Sequence, residues 1–285
     1  MPRRDQHSTT GSRRGRGPRL VRKTRRRAAR SALVGAILIA AAVTVLVTRR
    51  SQSPVTPSCI VSTSGASYTL SPDQAQNAAI ITAVASRLGL ADHAVTIALA
   101  TSLQESKLRN LTYGDLDSVG LFQQRPSQGW GTRAQLLDPS YAAAAFYAGL
   151  VKIPGWQSMA VTDAAQAVQH SAAPGAYAPW EGEARATAVA LTGEAAAGLS
   201  CRFDRSAGTA PAPTALAQAL TGEVGTNFLG AAVAPKTGWM VASWAVAHAY
   251  NYHLRSVSFA GMTWQPTSGK WSIDKTAPGA EVVAR

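Results

Sequence analysis

Glu105 is the residue whose type and setting could do chemistry. It closes an apolar stretch, within Leu103-Gln104-Glu105-Ser106-Lys107-Leu108. On a 3.6-residue wheel it falls in line with Ala94, Ala98, Thr101 and Ser102, away from a polar side of His93, Thr96, Gln104 and Lys107. A line of small residues lets a neighbouring helix approach, so a carboxylate there is partly desolvated. Such an acid can hand a proton to a leaving oxygen. Ser118-Val119-Gly120-Leu121-Phe122-Gln123-Gln124 follows shortly, within a long loop from Asn110 to Gly131. Long loops in compact domains are functional or disordered, and this one carries Tyr113, Phe122 and Trp130 among several amides. Aromatic faces beside amides suit a sugar-binding groove. The combination points to cleavage of a glycosidic bond, with Glu105 as general acid/base. Hydrolysis of that bond pairs two carboxylates about 5–10 Å apart. Asp115 and Asp117 are the only acids in the following loop. If neither reaches the cleft, one acid/base serves alone, which suits attack by the substrate's own hydroxyl.

The elements that must position Glu105 read as follows. Ser71-Pro72-Asp73 starts a helix that Gly89 ends, and Asp92 caps a second helix running to about Lys107 or Leu108. Asp138-Pro139 starts a third, ending near Val151. Thr162 caps a short one to His170. Breaks at Pro154-Gly155 and Ala173-Pro174-Gly175 precede an Ala-rich helix ending near Gly198. Residues 71–201 therefore read as an all-α domain. Residues 202–213 read as a Pro/Ala linker. Residues 214–285 read as a small α+β module: a short helix over 214–222, a longer one from Lys236 to His253, and β-like runs at Arg255–Phe259, Met262–Gln265, Lys270–Ile273 and Ala280–Ala284. The expected fold class is mainly α.

Charge is concentrated at one end. The net charge is +13, but residues 1–50 hold fourteen of the 28 Lys/Arg and one of the 15 acids. The remainder is neutral, which argues against a nucleic-acid partner. Residues 1–30 read as a basic tail. Ser31 to Thr48 is an uncharged apolar run of eighteen residues, about 27 Å as a helix and long enough to cross a bilayer. Twelve basic residues precede it, so a single-pass membrane protein is expected, with a cytoplasmic N-terminus and residues 51–285 extracytoplasmic. Residues 49–70, rich in Ser, Thr and Pro, read as a spacer. Cys59 and Cys201 lie on the exported side and bracket one segment, so a disulfide between them is expected.

Glu105-Ser106, then Ser118-x-Gly120-Leu121-x-Gln123, resembles the motif pair of lytic transglycosylases of the lysozyme-like superfamily. The resemblance covers residues 71–199. It implies a lysozyme-like fold, Glu105 as acid/base, Ser118 polarising the substrate near the bond, and Gln123 holding the glycan beside the open backbone of Gly120. The family carries Ala-Tyr-Asn on a later helix. Here Ala176-Tyr177-Ala178 stands in its place, with Tyr177 able to bond the glutamate and the Asn missing. The overall organisation also resembles actinobacterial membrane-anchored proteins labelled heavy-metal transporters, but no metal-ligand cluster supports that label. With its Trp239–Tyr252 helix and Val257-x-Phe259-x-Gly261-x-x-Trp264, the C-terminal module is similar to a domain that follows such transglycosylase domains and is distantly like zinc D-Ala-D-Ala carboxypeptidases. The closing histidines of those peptidases are absent from residues 277–283, and His248 and His253 do not share a helix face. No metal and no cofactor is expected. The resemblance implies a membrane-anchored peptidoglycan lytic transglycosylase acting on the MurNAc–GlcNAc bond. Its partners would be glycan strands and, through residues 31–48, the lipid membrane. A hydrolase using Asp115 or Asp117, and a peptidoglycan-binding scaffold that does not cut, are the alternatives.

Overall fold

The computed structural model describes residues 55–63, 65–204 and 213–285. Helix α1 (Pro72–Arg87) begins as its sequence dictates. The Ser71 hydroxyl accepts from the Gln74 N–H, the Gln74 side chain accepts from the Ser71 N–H, and Pro72 fills the first turn. Helix α2 (Asp92–Ser106) begins differently: Ala91 occupies the cap position, and the Asp92 carboxylate bonds Lys236 Nζ at 2.7 Å instead of capping. A single turn, α3 (Arg133–Leu136), carries its own Thr132/Gln135 capping box. Asp138 caps α4 (Pro139–Leu150) by accepting from the Ser140 and Tyr141 N–H groups. After α5 (Val161–Gln169), a 3-10 segment, Pro174–Trp180, leads directly into α6 (Glu181–Leu191). Helices α7 (Pro213–Val224) and α8 (Pro235–His248) follow.

Small residues decide the packing. Helix α2 packs most extensively against α6. Ala94, Ala98 and Thr101 of α2 and Ala184, Thr187 and Ala188 of α6 are all fully buried. Side chains this small let two helix backbones come close, so the interface is tight without large apolar groups. The larger core residues, Phe122, Phe146 and Tyr147 among them, fill the space beside α4.

Among the described residues, two antiparallel sheets join the helices. The first has the order β2-β1-β3, from β1 (Ser58–Thr63), β2 (Ala66–Leu70) and β3 (Leu199–Arg202). The second has the order β6-β5-β4-β7, from β4 (Val257–Phe259), β5 (Met262–Gln265), β6 (Lys270–Ile273) and β7 (Val283–Ala284). Cys59 and Cys201 are register partners on β1 and β3 and form a disulfide. It closes a sequence separation of 142 residues, for which the chain-entropy model gives on the order of 5 kcal/mol. The sheets are joined by indoles: Trp264 Nε1–H donates to the Cys201 carbonyl at 3.1 Å and Trp271 Nε1–H to that of Leu199 at 2.9 Å. Helix α8 packs on α1, and residues 55–285 form one unit around a continuous core.

Two expectations are corrected here. The fold is α+β rather than mainly α, because residues 58–70 and 199–202 form a sheet where a spacer and a helix end were expected. Their Ser and Thr content resembles a linker, yet Cys59 and Val61 point inward while Ile60 points outward, the period-2 pattern of a strand. The single-pass membrane protein, with its cytoplasmic N-terminus and extracytoplasmic residues 51–285, is likewise not supported. Among the described residues no helix is long and apolar enough to cross a membrane. The longest, α1, has 16 residues, about 24 Å, and carries Asp73 and Arg87. The run 31–48 lies outside the described residues.

Candidate active site

Glu105 is half-buried in the last turn of α2. The chain leaves the helix through two left-handed residues, Lys107 (φ 57°) and Leu108 (φ 56°). The Lys107 N–H bonds the Leu103 carbonyl, as in an αL helix end, and the Leu108 N–H returns to the Ser102 carbonyl. Two amides from α1 hold this end in place. Gln74 Nε2 donates to the Lys107 carbonyl and Asn77 Nδ2 to that of Leu108, each at 2.8 Å. Those carbonyls lie just beyond the helix and find their partners in these amides.

The loop motif is fastened to α2 by hydroxyls. Ser106 Oγ donates to the Leu121 carbonyl at 2.7 Å, and Ser102 Oγ to the same oxygen at 3.1 Å. Both serines are buried, as is Leu121. Gly120 takes φ +79°, and a Cβ there would lie 2.3 Å from the Leu136 carbonyl oxygen. Its missing side chain therefore serves a backbone-to-backbone approach rather than ligand access. Ser118 is buried, with its N–H donating to the Asp115 carbonyl. Gln123 Nε2 donates to the carbonyls of Gly120 (3.2 Å) and Tyr113 (3.3 Å). Among the described hydrogen bonds, none joins Glu105 to Ser118 or Gln123. Of the loop aromatics, Phe122 is core, Trp130 is half-buried, and Tyr113 is 70 % exposed.

The direct partner of Glu105 is Tyr177, whose hydroxyl donates to Oε1 at 2.8 Å. Burial first, then the Glu105 charge, pushes the Tyr177 phenol well above the usual tyrosine range, so it remains a donor. Tyr177 belongs to the 3-10 segment, which is braced by α5: Thr162 Oγ1 donates to the Pro174 carbonyl and Gln166 Nε2 to that of Ser171. Trp180, from the same segment, donates its Nε1–H to Gln104 Oε1 at 2.8 Å, and Lys107 Nζ lies 3.8 Å from the Trp180 ring centre.

Neither loop acid stands ready as a second carboxylate. Asp117 accepts from Arg125 Nε at 3.0 Å and from the Ser127 N–H and hydroxyl at 2.8 and 2.9 Å. These bonds, led by the Ser127 N–H, hold its carboxyl down at about 2. Asp115 is exposed. Sequence reasoning passed over another acid, Glu183, half-buried in the first turn of α6 and within electrostatic reach of Lys107. It passed over Trp180 and Lys107 too. The signal that marks Trp180 and Glu183 is the three-residue spacing from Tyr177. In the C-terminal part, His248 is fully buried, with Nδ1–H donating to the Trp244 carbonyl at 2.8 Å and Nε2 lying 3.3 Å from Glu223 Oε1.

The arrangement can orient one half-buried carboxyl group and hold it rigidly beside a polar loop, which is what proton transfer to a bound substrate needs. No family model matches the chain and no curated protein matches it, so the functional reading rests on these residues.

Proposed function

We propose that this chain is a peptidoglycan lytic transglycosylase that breaks the MurNAc–GlcNAc bond with Glu105 as acid and then as base. The observation that carries this reading is the 2.8 Å hydrogen bond from the Tyr177 hydroxyl to Glu105 Oε1, at a half-buried helix end fastened to a loop of amides and aromatics. The bond fixes the rotamer of Glu105 and leaves Oε2 to face substrate. The acid gives its proton to the glycosidic oxygen as the C1–O4 bond breaks. The C6 hydroxyl of the same MurNAc then attacks C1, and its proton passes to the Glu105 carboxylate, which restores the acid. No water enters the balance. The engagement of Asp117 with Arg125 and Ser127 favours this course over hydrolysis, which asks for a second carboxylate.

The test is product analysis. The chain incubated with purified peptidoglycan should release fragments with 1,6-anhydro-MurNAc ends, read by mass spectrometry. Glu105→Gln should lower release by about 10²–10⁴-fold while leaving thermal unfolding nearly unchanged. Reducing ends would replace the transglycosylase with a hydrolase. Intact strands that cosediment with the chain would replace it with a binding protein.

A further inference from the structure

Two helix N-termini meet at one cavity. It measures about 380 Å³ and lies between α1, α2 and α8. Asp92 is the first residue of α2 and Lys236 the second of α8. Their side chains form an ion pair in the cavity wall, with Nζ 2.7 Å from Oδ2. A helix N-terminus favours negative charge. At α2 the Asp92 carboxylate supplies it. At α8 the cap residue is Ala234, which offers no side-chain bond to the first-turn N–H groups, and that turn carries a cation instead. Lys236 Nζ has three donors, and the described hydrogen bonds use one of them, on Asp92. The start of α8 therefore presents an ammonium and an uncapped helix end to the same space, and both favour a carboxylate. Leu90, Val95, Phe228 and Met240 give the cavity an apolar lining. Thr192 also stands in its wall, and the Thr192 hydroxyl is buried with no hydrogen-bond partner among the described residues, an unfavourable state for a polar group. A plain clamp between α2 and α8 would account for the ion pair, but not for the apolar space beside it or the unpaired hydroxyl.

We propose that this cavity binds a free α-amino acid with an apolar side chain. Such a ligand carries its ammonium and carboxylate on one carbon, so its two charges are adjacent, as those of Lys236 and Asp92 are. Its carboxylate meets Lys236 Nζ and the first turn of α8, and its ammonium meets Asp92. Four alternating charges then close a ring without parting the ion pair. The side chain fills the apolar space, and Thr192 gains a polar neighbour. A ligand with a single charge would match only half of this wall. Ligand sites span about 300–1,000 Å³, and this cavity, near the lower bound, fits one amino acid better than a chain of sugars. The site is separate from Glu105, which stands at the other end of α2, about 20 Å away along the helix.

The experiment is calorimetric titration of the full chain with leucine, each enantiomer in turn. One enantiomer or both should bind. Isoamylamine and 4-methylpentanoate, which keep the side chain and one charge each, should bind at least about tenfold more weakly, because each loses a charge-assisted hydrogen bond. Lys236→Met should weaken leucine by about the same factor. That variant also loses the clamp between α2 and α8, so Ser86→Trp gives a second test. Ser86 is exposed and lines the cavity, and an indole there blocks the space while leaving Asp92 and Lys236 in place. It should abolish binding with thermal unfolding nearly unchanged. In the wild type, leucine should shift the NMR resonance of the Thr237 amide, in the first turn of α8. The proposal is overturned if neither enantiomer gives heat or moves Thr237 at about 10 mM. Equal affinity for the single-charge analogues, or undiminished binding by Ser86→Trp, overturns it too. Cleavage of peptidoglycan is read separately, and neither result decides the other.

Discussion

The loop from Asn110 to Gly131 and the segment from Pro174 to Glu183 both help to build the Glu105 site, yet they are built in opposite ways. Apart from Asn110 and Gln124, whose amides donate to the Leu137 and Ala142 carbonyls, the loop's bonding side chains turn inward. Gln123 bonds the carbonyls of Gly120 and Tyr113, Asp117 bonds Arg125 and Ser127, and the Gly120 N–H bonds the Leu111 carbonyl. It receives bonds from α2, through Ser102 and Ser106, at one backbone oxygen. The 3-10 segment does the reverse. Its side chains reach outward, Tyr177 to Glu105 and Trp180 to Gln104. A signature-like run of Ser, Gly and Gln can therefore be framework, while a stretch that looks like a helix break supplies the hydroxyl that touches the acid.

The sharpest way to break this comparison is to place a methyl group on each side of it. Gly120→Ala must hold a left-handed φ of +79° and bring Cβ against the Leu136 carbonyl at 2.3 Å. The backbone term and the steric term together should cost about 3 kcal/mol. Urea denaturation should show a lower midpoint with an unchanged slope. Gly175→Ala meets open space, so the same methyl in the other region should change stability by less than about 0.5 kcal/mol. Equal losses at both positions would mean that the loop is not the rigid partner.

Tyr177→Phe asks the opposite question. It keeps the buried ring and removes only the hydroxyl that Glu105 accepts. A hydrogen bond to a charged group is worth about 1.5–3 kcal/mol, and the half-buried Glu105 can draw on water in exchange, so the stability loss should sit near the lower figure. Turnover should fall further, by about 10–100-fold, because the acid loses its fixed orientation. A variant that loses stability in the same proportion as activity would assign Tyr177 to packing.

The legibility of each region follows from how local its signals are. Helices α1 and α4 were readable because Ser71-Pro72-Asp73 and Asp138-Pro139 carry their own caps. The buried face of α2 was readable from the wheel: Ala94, Ala98, Thr101 and Ser102 are all buried. Thr96 broke that pattern, since it was placed on the polar side and is 2 % exposed. Strands β1 and β2 form a local hairpin, Thr63 opposite Ala66, that a linker-like composition conceals, and β3 joins them only through a pairing 142 residues away in sequence. The place of Glu183 was hidden for a different reason. Pro174 reads as a helix breaker, but it and Pro179 both fit a 3-10 turn, and that turn sets the phase from residue 177 to 180 that α6 continues to Glu183. The partnership of Tyr177 with Glu105 came from resemblance, not from any local pattern.

The smallest expected effect tests whether the loop holds itself together independently of Glu105. The Asp117 carboxyl is held down at about 2 by the Ser127 N–H, then by Arg125, against an unfolded value of about 3.9. A carboxyl depressed in the folded state contributes stability above its unfolded value and loses it as the pH falls through the folded one. The clamp should therefore be fully formed above about pH 4 and should open as the pH falls toward about 2. Asp117 faces solvent, so the consequence should be local to the loop. The Ser127 amide, 2.8 Å from Asp117 Oδ2, reports on it directly. Its NMR shift should titrate with a midpoint near 2. The Ala176 amide, bonded to the Ala173 carbonyl in the other segment, should not follow it. Asp117→Asn should abolish the Ser127 titration while leaving the Tyr177–Glu105 contact intact. A midpoint near 4 would show that Asp117 is a free surface acid in solution. The loop would then lose its internal brace, and with it the contrast with the segment that carries Tyr177.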